Sequence, residues 1–142
     1  MTTNIGKFRK QLDLLMNHLE ECIPRDKEIE KHQLKLETAM KANPRGTIET
    51  FIDAISPYTE QILLGNDSYF TDKTSEDLGV ESDYVSFSNK LKSIWSQLTE
   101  AQKGPVRRYI KLLVMLGIIV TRNEPLRQVI NKHRPADNPL MF

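Results

Sequence analysis

The segment Tyr109–Val120, with the sequence YIKLLVMLGIIV, constrains the fold most because it carries one charge in twelve residues within an otherwise polar chain. A membrane span needs about twenty apolar residues, whereas Lys111 interrupts this run, and Arg108 and Arg122 flank it. Apolar residues occur all round the helix that this segment would form, which is typical of a helix covered by neighbours on several faces. The sequence therefore predicts a buried central helix near residues 106–120 and no transmembrane segment.

The two sides of this predicted helix leave an alternative open. Val106, Ile110, Leu113 and Gly117 lie on one side, and Leu112, Met115 and Ile119 lie on the other. Gly117 would let one neighbouring helix approach closely, at a cost in helix propensity of about 1 kcal/mol relative to Ala. If the other helices leave a strip of this helix uncovered, that strip is an interface for a subunit or a partner.

Apolar residues spaced three and four apart predict further helices before the central one. The first covers residues 5–22, and a more polar one follows over residues 25–42. The Asn-Pro-Arg-Gly run at 43–46 is predicted to break the chain, with Thr47 as the N-cap of a third helix. At the Ser-Pro step that follows, either this helix kinks or, as we expect, a new helix starts with Ser56 as its cap.

The remaining pattern completes an all-α fold. Apolar spacing predicts a helix over residues 84–98, and Thr99 with Gln102 matches the capping-box pattern and opens the next segment, which precedes the apolar run. A last short helix follows the Asn-Glu-Pro break, and neither an alternating strand pattern nor an internal repeat is present. The prediction is a single-domain bundle of about six or seven helices over residues 1–134.

Residues 66–83, NDSYFTDKTSEDLGVESD, combine turn formers and acids with little periodicity. They predict an acidic loop of about eighteen residues, long enough to be either functional or mobile. Its two adjacent aromatic residues, Tyr69 and Phe70, are candidate partner-binding residues.

The charges of the chain are divided between its middle and its C-terminal third. Residues 46–102 carry ten acids and three bases, whereas residues 103–134 carry eight bases and one acid. Such positive charge either binds phosphate or an acidic partner, or it pairs with the acidic middle of the same fold. The candidate contacts are Arg107, Arg108, Lys111, Arg127 and Arg134.

No pattern in the chain predicts a catalytic, cofactor or metal site. His18 and Cys22 share a helical face, but two ligands do not make a zinc site; we expect a packing role for Cys22 and a solvated His18. Glu49, Asp53 and Glu60 form a stripe that we expect to be solvated. The sequence therefore predicts no enzyme and no cofactor.

The C-terminal tail, residues 135–142, is predicted to leave the last helix extended because its two prolines disfavour helical continuation. Its apolar residues Leu140, Met141 and Phe142 are candidate partner-binding residues, each gaining about 1.5–3 kcal/mol when fully buried. Two alternatives stay open, in which the tail either folds back on its own bundle or docks into another subunit or protein.

Two blocks, FIDAISPYTEQILLGNDSYF and IWSQLTEAQKGPVRRYIKLLVMLGII, resemble small, uncharacterised helical proteins encoded by large nucleocytoplasmic DNA viruses. The resemblance rests on Ile55 to Tyr58, Phe70, Trp95, Lys103 and Tyr109, and the Gly-Pro step after Lys103 departs from it. It brings no known activity. It implies a viral setting, and hence virion assembly, host interaction or genome handling.

These patterns predict a non-enzymatic protein-interaction or structural module, such as a virion or assembly component, with a protein partner or self-association. The alternative is a nucleic-acid-associated protein that binds through the basic C-terminal third. The chain shows no secretory signal, and its single cysteine rules out an internal disulfide. We therefore expect an intracellular location, in the cytoplasm or nucleus of a host cell, or a place in the virion.

Overall fold

Helices packed around one apolar core make up the fold. The computed structural model describes residues 3–71 and 83–132, and the regular secondary structure within them is helical. The helices are α1 (Asn4–Cys22), α2 (Lys27–Ala42), α3 (Pro44–Ile55), α4 (Thr59–Leu63), α5 (Ser68–Thr71), α6 (Asp83–Ile94), α7 (Glu100–Thr121) and α8 (Glu124–Lys132). Short 3-10 turns follow α3 and α6. The predicted all-α bundle is confirmed.

Helix α7 lies at the centre of this bundle. It packs most extensively against α1 and next against α3, and the side chains of Val106, Leu113 and Ile118 are fully buried. A Cβ atom built on Gly117 would lie 2.6 Å from Cδ1 of Ile52, so the absent side chain is what lets α3 approach. The predicted close approach at this glycine is confirmed.

The central helix begins at Glu100, six residues before the predicted position, and contains Pro105. The predicted capping box is present, because the Thr99 backbone N–H donates to Gln102 Oε1 at 2.9 Å and Thr99 Oγ1 accepts from the Gln102 N–H at 3.2 Å. Pro105 removes one backbone donor in the second turn. Gly104 lacks the Cβ that would meet the proline ring, which allows the helix to pass this point.

The start of α3 differs from the prediction. Asn43, not Thr47, caps this helix, since Asn43 Oδ1 accepts a hydrogen bond from the Gly46 N–H at 3.1 Å. Pro44 occupies the first helical position, where its fixed φ fits and its missing N–H costs nothing. Thr47 lies inside the helix, and its hydroxyl donates to the Asn43 carbonyl at 2.8 Å. Pro44, which belongs to the run predicted to break the chain, instead begins helix α3.

The prediction that Ser56 caps a new helix is also wrong. Ser56 keeps helical dihedrals, with φ −54° and ψ −38°, and its hydroxyl donates backward to the Asp53 carbonyl at 3.2 Å. A 3-10 turn, Ser56–Tyr58, then joins α3 to α4 without a side-chain cap. The backbone therefore changes from α-helical to 3-10 geometry at Pro57, and no new capped helix begins there.

The predicted loop over 66–83 is interrupted by helical structure at both ends. Ser68–Thr71 forms α5 and Asp83 opens α6, while residues 72–82 lie outside the described residues. Phe70 is buried and stacks on Trp95, with ring centroids 3.9 Å apart and planes at 9°. This aromatic burial holds α5 in place, which a local polarity pattern does not predict.

The chain reverses after α7 through a hydrogen-bonded C-terminal turn. The Arg122 N–H bonds the Ile119 carbonyl and the Asn123 N–H bonds the Ile118 carbonyl, both at 3.3 Å. This Schellman pattern requires a left-handed residue, and Arg122 supplies it with φ 54°. Arg45 also donates to the Val120 carbonyl at 3.0 Å, which ties α3 to the end of α7.

Replacing Leu113 with Asp should unfold the protein. An unpaired charge at this fully buried position costs several kcal/mol, against a typical domain stability of about 5–15 kcal/mol. Leu34→Asp is the matched control, because that leucine is 66% exposed. Circular dichroism with thermal unfolding measures both variants, and a cooperatively folded Leu113→Asp protein would contradict the central position of α7.

Arg122→Gly should raise the free energy of unfolding by about 1 kcal/mol, because glycine adopts the left-handed conformation without a Cβ penalty. Arg108→Gly, inside α7, should instead lower it by about the same amount. Urea unfolding of both variants tests the turn. A loss of stability in Arg122→Gly would show that the arginine side chain contributes more than its backbone strain costs.

Candidate functional site

A shallow groove of about 430 Å³, which we call the α4–α7 groove, lies between the end of α4 and the first half of α7. It brings together three of the five cationic residues selected from the sequence. Its lining consists of Ile62, Leu63, Leu64, Gly65, Gly104, Arg107, Arg108 and Lys111. Apolar residues come from the α4 side and positive charges come from α7.

The α4 wall is apolar because the helix ends there in a tight reversal. Gly65 has φ 77°, its N–H bonds the Ile62 carbonyl at 3.1 Å, and the Asn66 N–H bonds the Gln61 carbonyl at 2.8 Å. The reversal leaves Leu64 63% exposed, while Leu63 packs partly against the core. A large apolar side chain therefore stands beside the cations.

Arg107 is fixed in the wall of the groove by carboxylates of its own chain. Its Nε and Nη2 atoms donate to the two oxygens of Asp67, both at 2.7 Å, and Nη2 also lies 3.3 Å from Glu100. The guanidinium carbon lies 5.4 Å from the Trp95 ring centroid. This bidentate contact is the strong form of an arginine–carboxylate pair. Arg107 therefore joins the α4–α5 connection to α7.

Each member of the Asp67–Arg107 pair stabilises the charged form of the other. Hydrogen bonding to Arg107 holds the pKa of Asp67 below its usual range, although partial burial opposes the shift. The same contact raises the pKa of Arg107. A guanidinium shared by Asp67 and Glu100 has little positive charge left for a ligand, so Arg107 serves the groove as a structural residue.

Arg108 and Lys111 retain their charge toward solvent. Both are exposed, and in the described part of the chain neither makes an ion pair. Arg108 lies over the Tyr109 ring at 5.9 Å, which leaves its donors available. They lie three residues apart, so they project from one side of α7. They are the cations that a partner of the groove would meet.

Tyr69 and Phe70 lie in the core instead of facing a partner, with exposed fractions of 5% and 3%. The Tyr69 hydroxyl hydrogen-bonds the Ser88 hydroxyl, and burial raises the pKa of Tyr69 to about 12. The ammonium of Lys92, itself buried, lies 5.2 Å from the Tyr69 ring centroid. These aromatic residues hold α5 and α6 together and are not available for binding.

Arg127 lies apart from this cluster. It lines a second groove of about 400 Å³ between the end of α7 and the start of α8, together with Ile118, Ile119, Arg122 and Glu124. Glu124 lies 3.6 Å from it, so part of its charge is neutralised. The other selected residues, Arg134, Leu140, Met141 and Phe142, lie outside the described residues.

One side of α7 is only partly covered. Leu112, Met115 and Ile119 follow one another at spacings of three and four, and each is partly exposed. Leu112 lies one turn after Arg108, so this strip continues from the cationic edge of the α4–α7 groove. The side of α7 that carries Leu113 is buried, whereas this strip remains open.

His18 and Cys22 do not form an activated pair. His18 Nε2 lies 2.9 Å from the Gln102 carbonyl oxygen, which only accepts, so Nε2 carries the proton and donates it. Cys22 Sγ is 3.4 Å from the same nitrogen and finds no base there, and burial raises the pKa of the thiol. His18 is half-buried and bonded, so the prediction of a solvated His18 is wrong; it ties α1 to α7.

The acidic stripe on α3 and α4 is solvated as predicted, since Glu49, Asp53 and Glu60 are all exposed. Within residues 3–71 and 83–132, no three His, Cys, Asp or Glu side chains are placed to hold a metal ion.

The chain matches no model of a known protein family, no curated protein and no solved structure. None of the helices within residues 3–71 and 83–132 combines the length and the hydropathy that a membrane span requires.

Two components of the groove were missed in the sequence. Leu64 follows the apolar phase of α4, and the adjacent Gly65 is the usual signal for a helix end, so an exposed leucine could have been predicted there. Asp67 had no such signal, because its partner Arg107 lies forty residues later. Only the packing of α4 against α7 brings the two together.

Asp67→Asn should lower the free energy of unfolding by about 1 kcal/mol at neutral pH, because the charged acceptors of Arg107 are lost from a partly exposed pair. The folded pKa of Asp67 is lowered, so its contribution is present above about pH 4, the unfolded value, and is lost as pH falls through the folded pKa. Urea unfolding at neutral and acidic pH tests this. Wild type and variant should converge in acid, and Glu100→Gln, at a 77% exposed side chain, should cost less.

Proposed function

We propose that this protein is a non-enzymatic interaction module that binds an acidic, partly apolar segment of a partner protein in the α4–α7 groove. The observation that carries the proposal is the placement of Arg108 and Lys111, exposed and without ion pairs to any described residue, beside the exposed Leu64. Such a surface combines the two features that a docking site needs, apolar area to desolvate and charge to orient.

The energetics favour a partner that is both acidic and apolar. Fully covering a leucine contributes about 1.5–3 kcal/mol, whereas each exposed ion pair contributes about 0–1 kcal/mol. Leu64 and the strip of Leu112, Met115 and Ile119 would therefore supply most of the affinity. Arg108 and Lys111 would select acidic partners and speed their association.

The viral resemblance suggests a setting for this binding. An interaction module of this size fits virion assembly or the capture of a host protein, and self-association is one form of such assembly.

Nucleic-acid binding is the second candidate, and the same two cations favour it. Phosphate groups would contact Arg108 and Lys111 as readily as carboxylates do. Single-stranded nucleic acid is usually bound with aromatic side chains on which bases stack, but Trp95, Tyr69 and Phe70 are buried. The exposed leucine beside the cations also suits a protein segment better than a phosphate backbone.

Arg108→Glu with Lys111→Glu should weaken binding of a fluorescently labelled acidic amphipathic peptide by at least about tenfold, equivalent to 1.4 kcal/mol. Fluorescence anisotropy measures the affinity. Lys31→Glu with Lys35→Glu is the matched control, since it changes the net charge equally at two exposed lysines of α2. An equal loss in both double variants would mean non-specific attraction and would contradict the groove.

Duplex DNA in the same assay distinguishes the second candidate. If the groove binds phosphates, the affinity for DNA falls steeply with salt, and removing two contacts reduces the slope of log affinity against log salt by about 2. We expect instead weak DNA binding with no difference between the two double variants. A slope that changes only in the groove variant would favour the nucleic-acid function over the proposed one.

A further inference from the structure

Helix α8 is the last helix of the described residues. It packs against both α4 and α7, the two helices that form the groove, and it ends at Lys132. Residues 133–142 follow it with the sequence HRPADNPLMF. After Arg134, the segment of residues 135–142 carries one charge, the acid Asp137, and includes three consecutive apolar residues at 140–142. Its composition therefore complements a groove that has cations on one wall and leucines on the other.

The segment is long enough to reach the groove. From Lys132 to Met141 an extended chain spans up to about 30 Å, whereas the whole of α8 is about 13 Å long. Helix α8 contacts both α4 and α7, and Lys111 lies ten residues, or about 15 Å of helix, before the end of α7, so the distance to be covered is within this span. Two prolines, at 135 and 139, restrict the backbone and reduce the entropy that docking would cost.

We propose that residues 135–142 dock in cis in the α4–α7 groove, with Leu140, Met141 and Phe142 covering Leu64 and with Asp137 near Arg108 and Lys111. The inference rests on the proposed function and adds its regulation, because a partner must displace the chain's own segment before it binds. The segment imitates the acidic, apolar partner that the groove selects.

The tether favours this occupant over a free one. A short linker gives the attached segment an effective concentration in the millimolar range at its own groove. An interaction too weak to hold a separate peptide at micromolar concentration is then largely formed within one chain. A partner therefore has to bind more tightly than the tail, which sets a threshold for activation and excludes weak acidic competitors.

Disulfide trapping in the full chain tests the contact. In a Cys22→Ala background, which removes the single native thiol, Leu64→Cys is combined with Met141→Cys and mildly oxidised at low protein concentration. We expect a disulfide within one chain. The matched control combines Leu34→Cys with Met141→Cys, since Leu34 and Leu64 are 66% and 63% exposed, and Leu34 lies on α2, away from the groove. The control should remain reduced.

Each other result overturns the cis contact. Equal trapping at both positions would mean that the tail has no preferred site. A disulfide only between chains would assign the segment to a second copy, and no disulfide at Leu64 would place the tail elsewhere. Adding Arg108→Glu and Lys111→Glu should reduce the trapping severalfold, and undiminished trapping would contradict the role of Asp137.

The peptide assay separates this inference from the proposed function. Leu140→Ser, Met141→Ser and Phe142→Ser together, in the full chain, should increase the affinity for the acidic amphipathic peptide severalfold. If the affinity is unchanged but still depends on Arg108 and Lys111, the cis contact fails and the proposed function stands. If the tail is trapped at Leu64 but no peptide binds even after these substitutions, the proposed function fails instead.

Discussion

Burial of the apolar surface of α7 organises the packing of the other helices. A helix that is apolar on most of its circumference needs cover on several sides, and α1 and α3 provide most of it. The close approach of α3 is possible because Gly117 presents no side chain to Ile52. α8 then folds back from the left-handed turn at Arg122 and covers the C-terminal end of the same helix.

The groove is a consequence of this arrangement. Helix α4 is only five residues long and the chain reverses at Gly65, which leaves an opening beside the first half of α7. The Asp67–Arg107 pair holds the following turn against α7, so the gap keeps its shape. Arg108 and Lys111 are exposed at the α7 edge of this opening, so their positive charge lies at the surface.

Ion pairs within the chain explain why the basic C-terminal third does not act as a whole as a binding surface. Of the cations in the C-terminal third, Arg107 and Arg127 are engaged by acids of their own chain, and Lys103 lies over Trp95. The prediction of pairing with the acidic middle therefore holds for Arg107, which meets Asp67. Among residues 3–71 and 83–132 it does not hold for Arg108, although that residue is the neighbour of Arg107 in the sequence.

The sequence by itself determined the helical class, the central position of the segment around Leu113 and the capping box at Thr99, because each depends on residues within one helical stretch. It did not predict that α5 is helical, since the burial of Phe70 depends on Trp95, twenty-five residues away. Nor did it distinguish Arg107 from Arg108. Only the tertiary structure decided which cation meets a carboxylate and which remains on the surface, because a contact between distant segments depends on how the helices pack, not on local periodicity.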